Sequence, residues 1–438
     1  MRAFFNFKNT WVIFLILAAF LSCKKETDDN TETPIPTDKL PIVMAHGVLA
    51  SGDTYEQQIL RFISNGYDPR VLYSFDWNTI GLGSNNDILL DKFINEVLQK
   101  TGASQVILVG HSAGGGLGYG YCSTQKRADK IAKYIHIGSG GITKPAGPGI
   151  NGSIPTLNIW SEGDKIAGGS NVEGCTNVEL IDKDHYQVAT GEEAFAAMYE
   201  FINGSPPTTT KVTTDAEIKL SGRVVTFGEN QPGVGATIKI YELNIDGYRK
   251  NNSPNATLTA DTKGYWSNFS AKPDTYYEFE VTPSNPDERK VHYYREPFKR
   301  SDKTVYLRIF PPKGSLAYNF LSDLPKDDNQ SVSAFFGANQ AVVSGRDVLL
   351  INEDTLSTTK FAQDTYTTIA MFFYDTNNNQ TTDLKSVGLF ANSAFLKFAD
   401  VYFSTVSPQT ITYTFNNRQL KCPNWKSGRD GVSVMVFD

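Results

Sequence analysis

Short apolar runs alternate with amphipathic segments between residues 40 and 205. Runs of four or five mostly β-branched or aliphatic residues are typical of strands buried on both faces. Six such runs are found, at Pro41–Ala45, Val71–Phe75, Gln105–Val109, Tyr134–Ile137, Thr156–Trp160 and Val178–Ile181. Helical periodicity is found at Tyr55–Ser64, Asp87–Lys100, Ala113–Ser123 and Glu192–Ile202. This alternation predicts an α/β domain over residues 40–205, with helices on both faces of a parallel sheet.

The pattern changes after the Pro- and Thr-rich segment 206–212, which we interpret as a linker. Thr275–Val281 alternates aromatic and polar residues, as a half-buried strand does, and helix signals are nearly absent from there on. We therefore expect all-β, sandwich-like structure, divided into one module at 213–312 and a C-terminal module at 313–438.

The first residues have the organisation of an export signal. Arg2 and Lys8 precede a short apolar stretch that ends at Cys23, and this arrangement resembles a bacterial lipobox. It implies that residues 1–22 are a signal peptide and that Cys23 is lipidated, with 23–39 as a flexible tether. The chain would then be a lipoprotein of the bacterial cell envelope, with the outer membrane as its expected location. A simple secretory signal or a membrane anchor is the alternative.

Composition narrows the possible partners. The formal net charge of −6 argues against nucleic acid. The spacing of Cys122, Cys175 and Cys422 resembles no metal site, so we assign them no metal, and we expect no organic cofactor either. Residues 375–383 have the D-x-N-x-N spacing of a calcium loop but lack its glycine and its final acid, which favours a polar hairpin turn and leaves calcium open. The oligomeric state is not determined by the sequence.

The segment Gly110-His111-Ser112-Ala113-Gly114 fits G-x-S-x-G and follows a predicted strand directly. Such a turn can hold a serine exposed as a nucleophile, with glycines where the chain passes close to its neighbours. The pattern is common by chance, so the residues that a reactive serine requires must also be present.

A serine nucleophile needs a histidine base and an acid that orients it. His185 follows the strand that would be last in the sheet, and Asp164 lies just past the strand before it. We predict these two as base and acid, with Glu162 as the main rival for the acid. The predicted oxyanion hole consists of the backbone N–H groups of Ala113 and of Val48, after the first strand. His46 is expected to be buried and structural.

These motifs resemble those of small bacterial lipases, which are minimal α/β-hydrolases. The resemblance rests on Pro41–Gly47, on the turn at Ser112 and on the acid loop Ser161–Ile166. A longer resemblance, through Phe195–Gly204 and His292–Phe298, is to an archaeal lipase in which a C-terminal β domain helps accept long acyl chains. In that relative the acid may come from the strand end where this chain has Gly138 and Ser139.

The resemblance implies a serine lipase or carboxylesterase that acts on an ester or lipid substrate. The connection at Asp76–Ser84 is too short for a lid, which favours soluble or shorter-chain esters. Two alternatives stay open. The acyl substrate could be a polyester, an acetylated polysaccharide or a peptide, or the chain could be an inactive binding protein with a hydrolase fold.

Overall fold

The computed structural model describes residue 35 and residues 38–81, 85–387 and 391–438. The predicted signal peptide at 1–22 and the lipidation site Cys23 lie outside the described residues, as does most of the predicted tether. Within the described ranges, no helix has both the length and the apolar character needed to cross a membrane.

A six-stranded parallel sheet forms the centre of the α/β domain. Its strands are β1 (Ile42–Ala45), β2 (Leu72–Phe75), β3 (Val106–His111), β4 (Ile131–Ile137), β5 (Thr156–Trp160) and β6 (Thr176–Glu179). The strand order is β2-β1-β3-β4-β5-β6, so the chain reverses its direction of travel across the sheet after β2. Because β1 and β3 are neighbours, the loops that follow them meet at this switch point, where parallel sheets bind ligands.

Helices cover both faces of this sheet. They are α1 (Glu56–Ser64), α2 (Asn86–Thr101), α3 (Ala113–Tyr121), α4 (Gln125–Ala128), α5 (Gln187–Thr190) and α6 (Glu192–Asn203), with 3-10 turns at Gly52–Tyr55 and Pro69–Val71. Phe62 of α1 and Phe195 of α6 pack in one core, and Ile94 of α2 packs in the other. The predicted α/β class is confirmed.

The remainder of the chain is built from strands. These are β7 (Ile218–Thr226), β8 (Thr237–Glu242), β9 (Ala256–Thr259), β10 (Tyr265–Ala271), β11 (Tyr277–Thr282), β12 (Val291–Arg295), β13 (Asp302–Ile309), β14 (Val332–Gly337), β15 (Leu349–Ile351), β16 (Asp354–Thr355), β17 (Ala370–Tyr374), β18 (Leu396–Asp400), β19 (Thr410–Phe415), β20 (Arg418–Pro423) and β21 (Val432–Phe437). We call residues 213–438 the β region. It contains three sheets among the described residues, with orders β10-β7-β13, β18-β17-β14-β21-β12-β11-β8-β9 and β16-β15-β19-β20.

The two predicted β modules, 213–312 and 313–438, share the eight-stranded sheet. The last strand, β21, lies between β12 of the first module and β14 of the second, parallel to both. Its apolar sequence Val-Ser-Val-Met-Val-Phe suits a central strand, but its partners are distant in sequence and could not be read from it. A short helix, α7 (Leu316–Leu321), and a 3-10 turn at Asp364–Tyr366 also lie in this region, where helix signals are weak. Ser315 caps α7 by accepting from the Tyr318 N–H.

The β region packs on the α/β domain through buried polar contacts. Arg308 of β13 pairs with Asp53 at 2.7 Å, and Arg295 of β12 pairs with Glu56 at 2.6 Å. The predicted linker is itself fixed, since Arg61 donates to the Thr210 carbonyl at 3.0 Å. Residues 35–438 accordingly form one unit, and the two regions share a cleft.

Candidate active site

Ser112 occupies a strained turn between β3 and α3. Its φ of 53° and ψ of −123° are values that a non-glycine residue rarely adopts. The turn is possible because a Cβ at Gly110 would lie 2.3 Å from the Gly114 carbonyl oxygen, and a Cβ at Gly114 would lie 2.2 Å from that of Ala45. The glycines of the motif are therefore required by close backbone packing, and they hold Ser112 half-buried at the carboxyl end of β3.

The structure brings Asp164 and His185 together. Asp164 Oδ2 lies 2.8 Å from His185 Nδ1, and both residues are buried. Asp164 Oδ1 accepts from the backbone N–H groups of Ile166 and Ala167, each at 2.9 Å. Burial alone would raise the pKa of Asp164, but the hydrogen bond and charge of His185 outweigh burial and lower it. Asp164 is thus an ionised, fixed acceptor for the Nδ1 proton of His185.

The other acids near Asp164 or His185 in sequence have different surroundings. Glu162, the predicted rival, is exposed, and the hydrogen bond of His185 Nδ1 is to Asp164. Asp184 accepts from the Tyr186 N–H and pairs with Arg346 at 2.8 Å. At Gly138 a Cβ would lie 3.2 Å from Asp164 Oδ2 and 2.6 Å from Val188, so a larger residue there would clash. Asp164 therefore takes the space that an acid on β4 would need.

His185 Nε2 is buried and has no hydrogen-bond partner among the described residues, so it is not bonded to Ser112 Oγ here. With Nδ1 donating to Asp164, the neutral form of the ring has its lone pair on Nε2. In a site without substrate, the contact between base and nucleophile is often long. The arrangement thus leaves Nε2 as the ring nitrogen that can accept a proton.

His111 supports His185 from inside the serine turn. The two rings are 4.7 Å apart, and His111 Nε2 donates to the His185 carbonyl at 2.8 Å. Burial, reinforced by the charge that His185 can carry, lowers the pKa of His111 to about 3. His111 therefore stays neutral, and sequence reasoning missed this packing role.

One predicted oxyanion residue, Ala113, follows Ser112 directly, and the loop that carries the other, Val48, approaches Ser112 closely. Ala113 is the first residue of α3, where backbone N–H groups have no partner within the helix. Gly47, which precedes Val48, is in close contact with the serine, since a Cβ there would lie 3.0 Å from Ser112 Cβ. His46 is fully buried, as expected, and bonds the loop that carries Val48.

An apolar cleft adjoins the histidine and is walled largely by the β region. Its cavity volume is about 80 Å³. Leu49 and Tyr186 contribute from the α/β domain, and Phe395 and Ala370 contribute from the β region. The Phe395 ring lies 5.8 Å from that of His185, so the cleft begins beside the base.

Elsewhere, acidic and histidine side chains of the kind that bind metals form hydrogen bonds and ion pairs with other protein groups. Glu278, Glu280 and His292 come together in the β region, but the Arg249 guanidinium binds both carboxylates, at 2.7 and 2.8 Å. In the loop 375–383, the Asp375 carboxylate accepts from the Gln380 N–H at 2.7 Å, as in a polar turn. These groups are parts of structural networks.

Two family models match the chain. Residues 39–130 match the model described as lipase (class 2), and residues 216–312 match the lipase C-terminal domain. These matches confirm the predicted resemblance to lipases. The match to the lipase model and the α/β fold support ester hydrolysis. The residues that match the lipase C-terminal domain end at residue 312, where the first predicted β module also ends.

The α/β domain is also similar to solved structures of hydrolases. A lipase from Bacillus licheniformis is 16% identical, with a TM-score of 0.32, and the match covers 39% of this chain and 94% of that chain. A carboxylesterase from Bacillus subtilis is 13% identical, with a TM-score of 0.29 and coverage of 39% and 86%. A CIB-like hydrolase from Thermoplasma acidophilum is 16% identical, with a TM-score of 0.30 and coverage of 39% and 88%.

Proposed function

We propose that the protein is a serine hydrolase of carboxylic esters that acts through an acyl-enzyme on Ser112. The observation that carries this proposal is the buried Asp164–His185 pair, whose Nε2 is unpartnered, beside a serine on a strained turn. Strain of this kind persists only where the surrounding structure enforces it, and it is concentrated at functional sites.

The chemistry follows from these positions. The Ser112 oxygen attacks the ester carbonyl carbon while its proton passes to His185 Nε2, and Asp164 stabilises the imidazolium. The Val48 and Ala113 N–H groups bind the oxygen that becomes negative. Collapse of the intermediate breaks the ester C–O bond, and the departing alcohol takes the proton from His185. Water then cleaves the acyl-enzyme by the same route and releases the acid.

The apolar cleft indicates the kind of acyl group. Its walls are mainly aliphatic and aromatic, which suits a hydrocarbon chain better than a sugar or a peptide. Burial of each methylene contributes about 0.8 kcal/mol, so even a short acyl chain would be held appreciably. We propose esters of short to medium chain length as the substrates, with Phe395 beside the reacting carbonyl.

Export and lipidation at Cys23 complete the proposal. The lipobox-like sequence at 20–23 supports attachment to the bacterial cell envelope. Intact-mass analysis of the membrane fraction should find a lipidated chain that begins at Cys23, and Cys23→Ser should release the protein from membranes. A Cys23→Ser variant that stays membrane-bound would contradict the anchor.

The proposed activity is tested with p-nitrophenyl esters from acetate to palmitate. Ser112→Ala should lower kcat/KM by about 10⁴-fold or more, because the covalent route is lost. Ser123→Ala, an exposed serine just after α3, is the matched control and should keep full activity. A fluorophosphonate probe should label the wild type and not Ser112→Ala. Equal ester turnover by the Ser112→Ala variant would refute the proposal.

A further inference from the structure

A side chain of the β region enters the loop that carries the predicted oxyanion donor Val48. Asn230 lies in the turn after β7 and is only 5% exposed. Its φ of 57° is left-handed, a conformation that asparagine tolerates better than most residues. The turn is closed by the Thr226 N–H, which donates to the Gln231 carbonyl at 2.8 Å. The backbone thus presents the Asn230 amide to the α/β domain in one orientation.

The amide group of Asn230 cross-links two loops of the α/β domain. Its Nδ2 donates to the Ala50 carbonyl at 2.8 Å and to the Trp77 carbonyl at 3.0 Å, and its Oδ1 accepts from the Ser51 hydroxyl. Nδ2 also lies 3.3 Å from His46 Nε2. All the hydrogen-bonding capacity of this side chain is therefore directed at the loops that follow β1 and β2.

These contacts determine the protonation of His46. Nε2 accepts from the Trp77 N–H at 3.3 Å and faces the Asn230 amide nitrogen at the same distance, so it carries a lone pair. Burial lowers the pKa of His46, against the opposing effect of Asp76, and keeps the ring neutral. The single ring proton is then on Nδ1, which donates to the Gly47 carbonyl at 2.9 Å.

The Gly47 carbonyl and the Val48 N–H belong to one peptide unit. A trans peptide is planar, so its C=O and N–H point in opposite directions. Holding the carbonyl on His46 fixes the Val48 N–H on the other side, with no acceptor among the described residues. Leu49 next to it has a φ of 59°, and its N–H donates to Thr79 Oγ1 at 2.9 Å, so the loop has little freedom to readjust.

We propose that Asn230 is a positioning residue for ester hydrolysis: acting through the Nδ1–H tautomer of His46, it orients the Gly47–Val48 peptide so that the Val48 N–H is ready for the oxyanion. This inference rests on the proposed function. The proposal makes a side chain of the β region necessary for full transition-state stabilisation in the α/β domain.

Asn230→Asp and Asn230→Ala separate this role from simple packing. A carboxylate at 230 has nearly the same shape but would accept a proton from His46 Nε2, and His46 Nδ1 would then present a lone pair to the Gly47 carbonyl. We expect kcat for p-nitrophenyl butyrate to fall about 100-fold in Asn230→Asp and about 10-fold in Asn230→Ala, as for a weakened oxyanion donor, with KM changed less than about three-fold. A purely structural role would lower the thermal stability of both variants and leave the kcat of the folded enzyme within two-fold of the wild type.

Lys303→Met is the matched control. Lys303 of β13 also joins the β region to the α/β domain, donating to the Leu72 carbonyl at 2.8 Å, but it does not contact the loop at 46–51. This variant should lose thermal stability without a change in kcat. If both Asn230 variants have kcat within two-fold of Lys303→Met, or if the alanine variant is the slower, the proposal is overturned.

Two further measurements keep the test valid if an Asn230 variant folds poorly or esters are not the substrate. Nitrogen chemical shifts of His46 should report Nδ1–H in the wild type and a change of tautomer in Asn230→Asp; an Nε2–H tautomer in the wild type would overturn the proposal. The rate at which a fluorophosphonate labels Ser112 should fall in the same order as kcat. Wild-type labelling without ester turnover would count against the proposed substrate class alone, whereas no wild-type labelling would count against the proposed function.

Discussion

The two regions that meet at the cleft contribute different kinds of residue. The α/β domain contributes side chains that can exchange protons, and Ser112, Asp164 and His185 all lie on loops at the carboxyl ends of parallel strands. The β region contributes no titratable side chain to this group. It adds the apolar wall that includes Phe395 and the amide of Asn230, which bonds the loop after β1.

This difference shows that two folds can contribute different parts of one site, one the reacting side chains and the other the surrounding wall. A parallel sheet brings loop residues to one edge, but in this chain it leaves the cleft above them without a complete wall. The β region supplies that wall and is held against the sheet by buried ion pairs such as Arg308–Asp53. Buried charges are costly when unpaired, so separation of the regions would be strongly unfavourable. The β region is therefore part of the site's structure.

The largest effect should come from the acid on the α/β side. Asp164→Asn keeps the shape of the side chain but removes the charge that holds the Nδ1 proton of His185. We expect kcat for p-nitrophenyl butyrate to fall about 10³- to 10⁴-fold. Glu162→Gln, two residues away and exposed, is the control and should retain wild-type kcat. A large loss in Glu162→Gln with little in Asp164→Asn would transfer the role of the acid to Glu162.

A smaller effect should appear in the free energy of unfolding as a function of pH, and it comes from a buried histidine of the α/β domain. Burial lowers the pKa of His136, in β4, to about 4. The unfolded chain takes up this proton near pH 6.5. The stabilising contribution of neutral His136 is therefore complete above about pH 6.5 and is lost as pH falls toward 4, by about 3 kcal/mol.

Urea unfolding at pH 7 and at pH 4.5 measures this effect. His136→Gln should be destabilised by acid clearly less than the wild type, because the glutamine cannot take up the proton. Identical pH dependence in His136→Gln and the wild type would contradict a neutral, buried His136.

The sequence allowed much of the α/β domain to be predicted. Each predicted strand there overlaps an observed one, because a strand buried on both faces is continuously apolar and is bounded by turn residues. The pairing of Asp164 with His185 could be anticipated because the order of strands places their loops together. The roles of both residues, and of Ser112, Val48 and Ala113, stay predictions until activity is measured.

The β region was less accessible to sequence reasoning. The pairing of β21 with β12 and β14 joins residues more than 90 positions apart, and nothing in the local pattern of Val432–Phe437 specifies those partners. Asn230 likewise has the sequence signature of an ordinary turn residue, Gly-Glu-Asn-Gln-Pro, and its contacts with residues 46–51 depend on how two regions dock. Such contacts need the three-dimensional structure.

The most direct test of this division is the chain-length profile of ester hydrolysis when the β-region wall is altered. Ala370→Phe would fill part of the cleft beside Phe395, and Ala256→Phe, another half-buried alanine of the same sheet but outside the cleft, is the matched control. With p-nitrophenyl esters from acetate to palmitate, Ala370→Phe should keep acetate turnover and lose about 10-fold or more in kcat/KM on esters of medium chain length, as expected when a few buried methylenes lose their contacts. Ala256→Phe should have the wild-type profile. An unchanged profile in Ala370→Phe would contradict the claim that the β region forms the acyl-binding wall of the site.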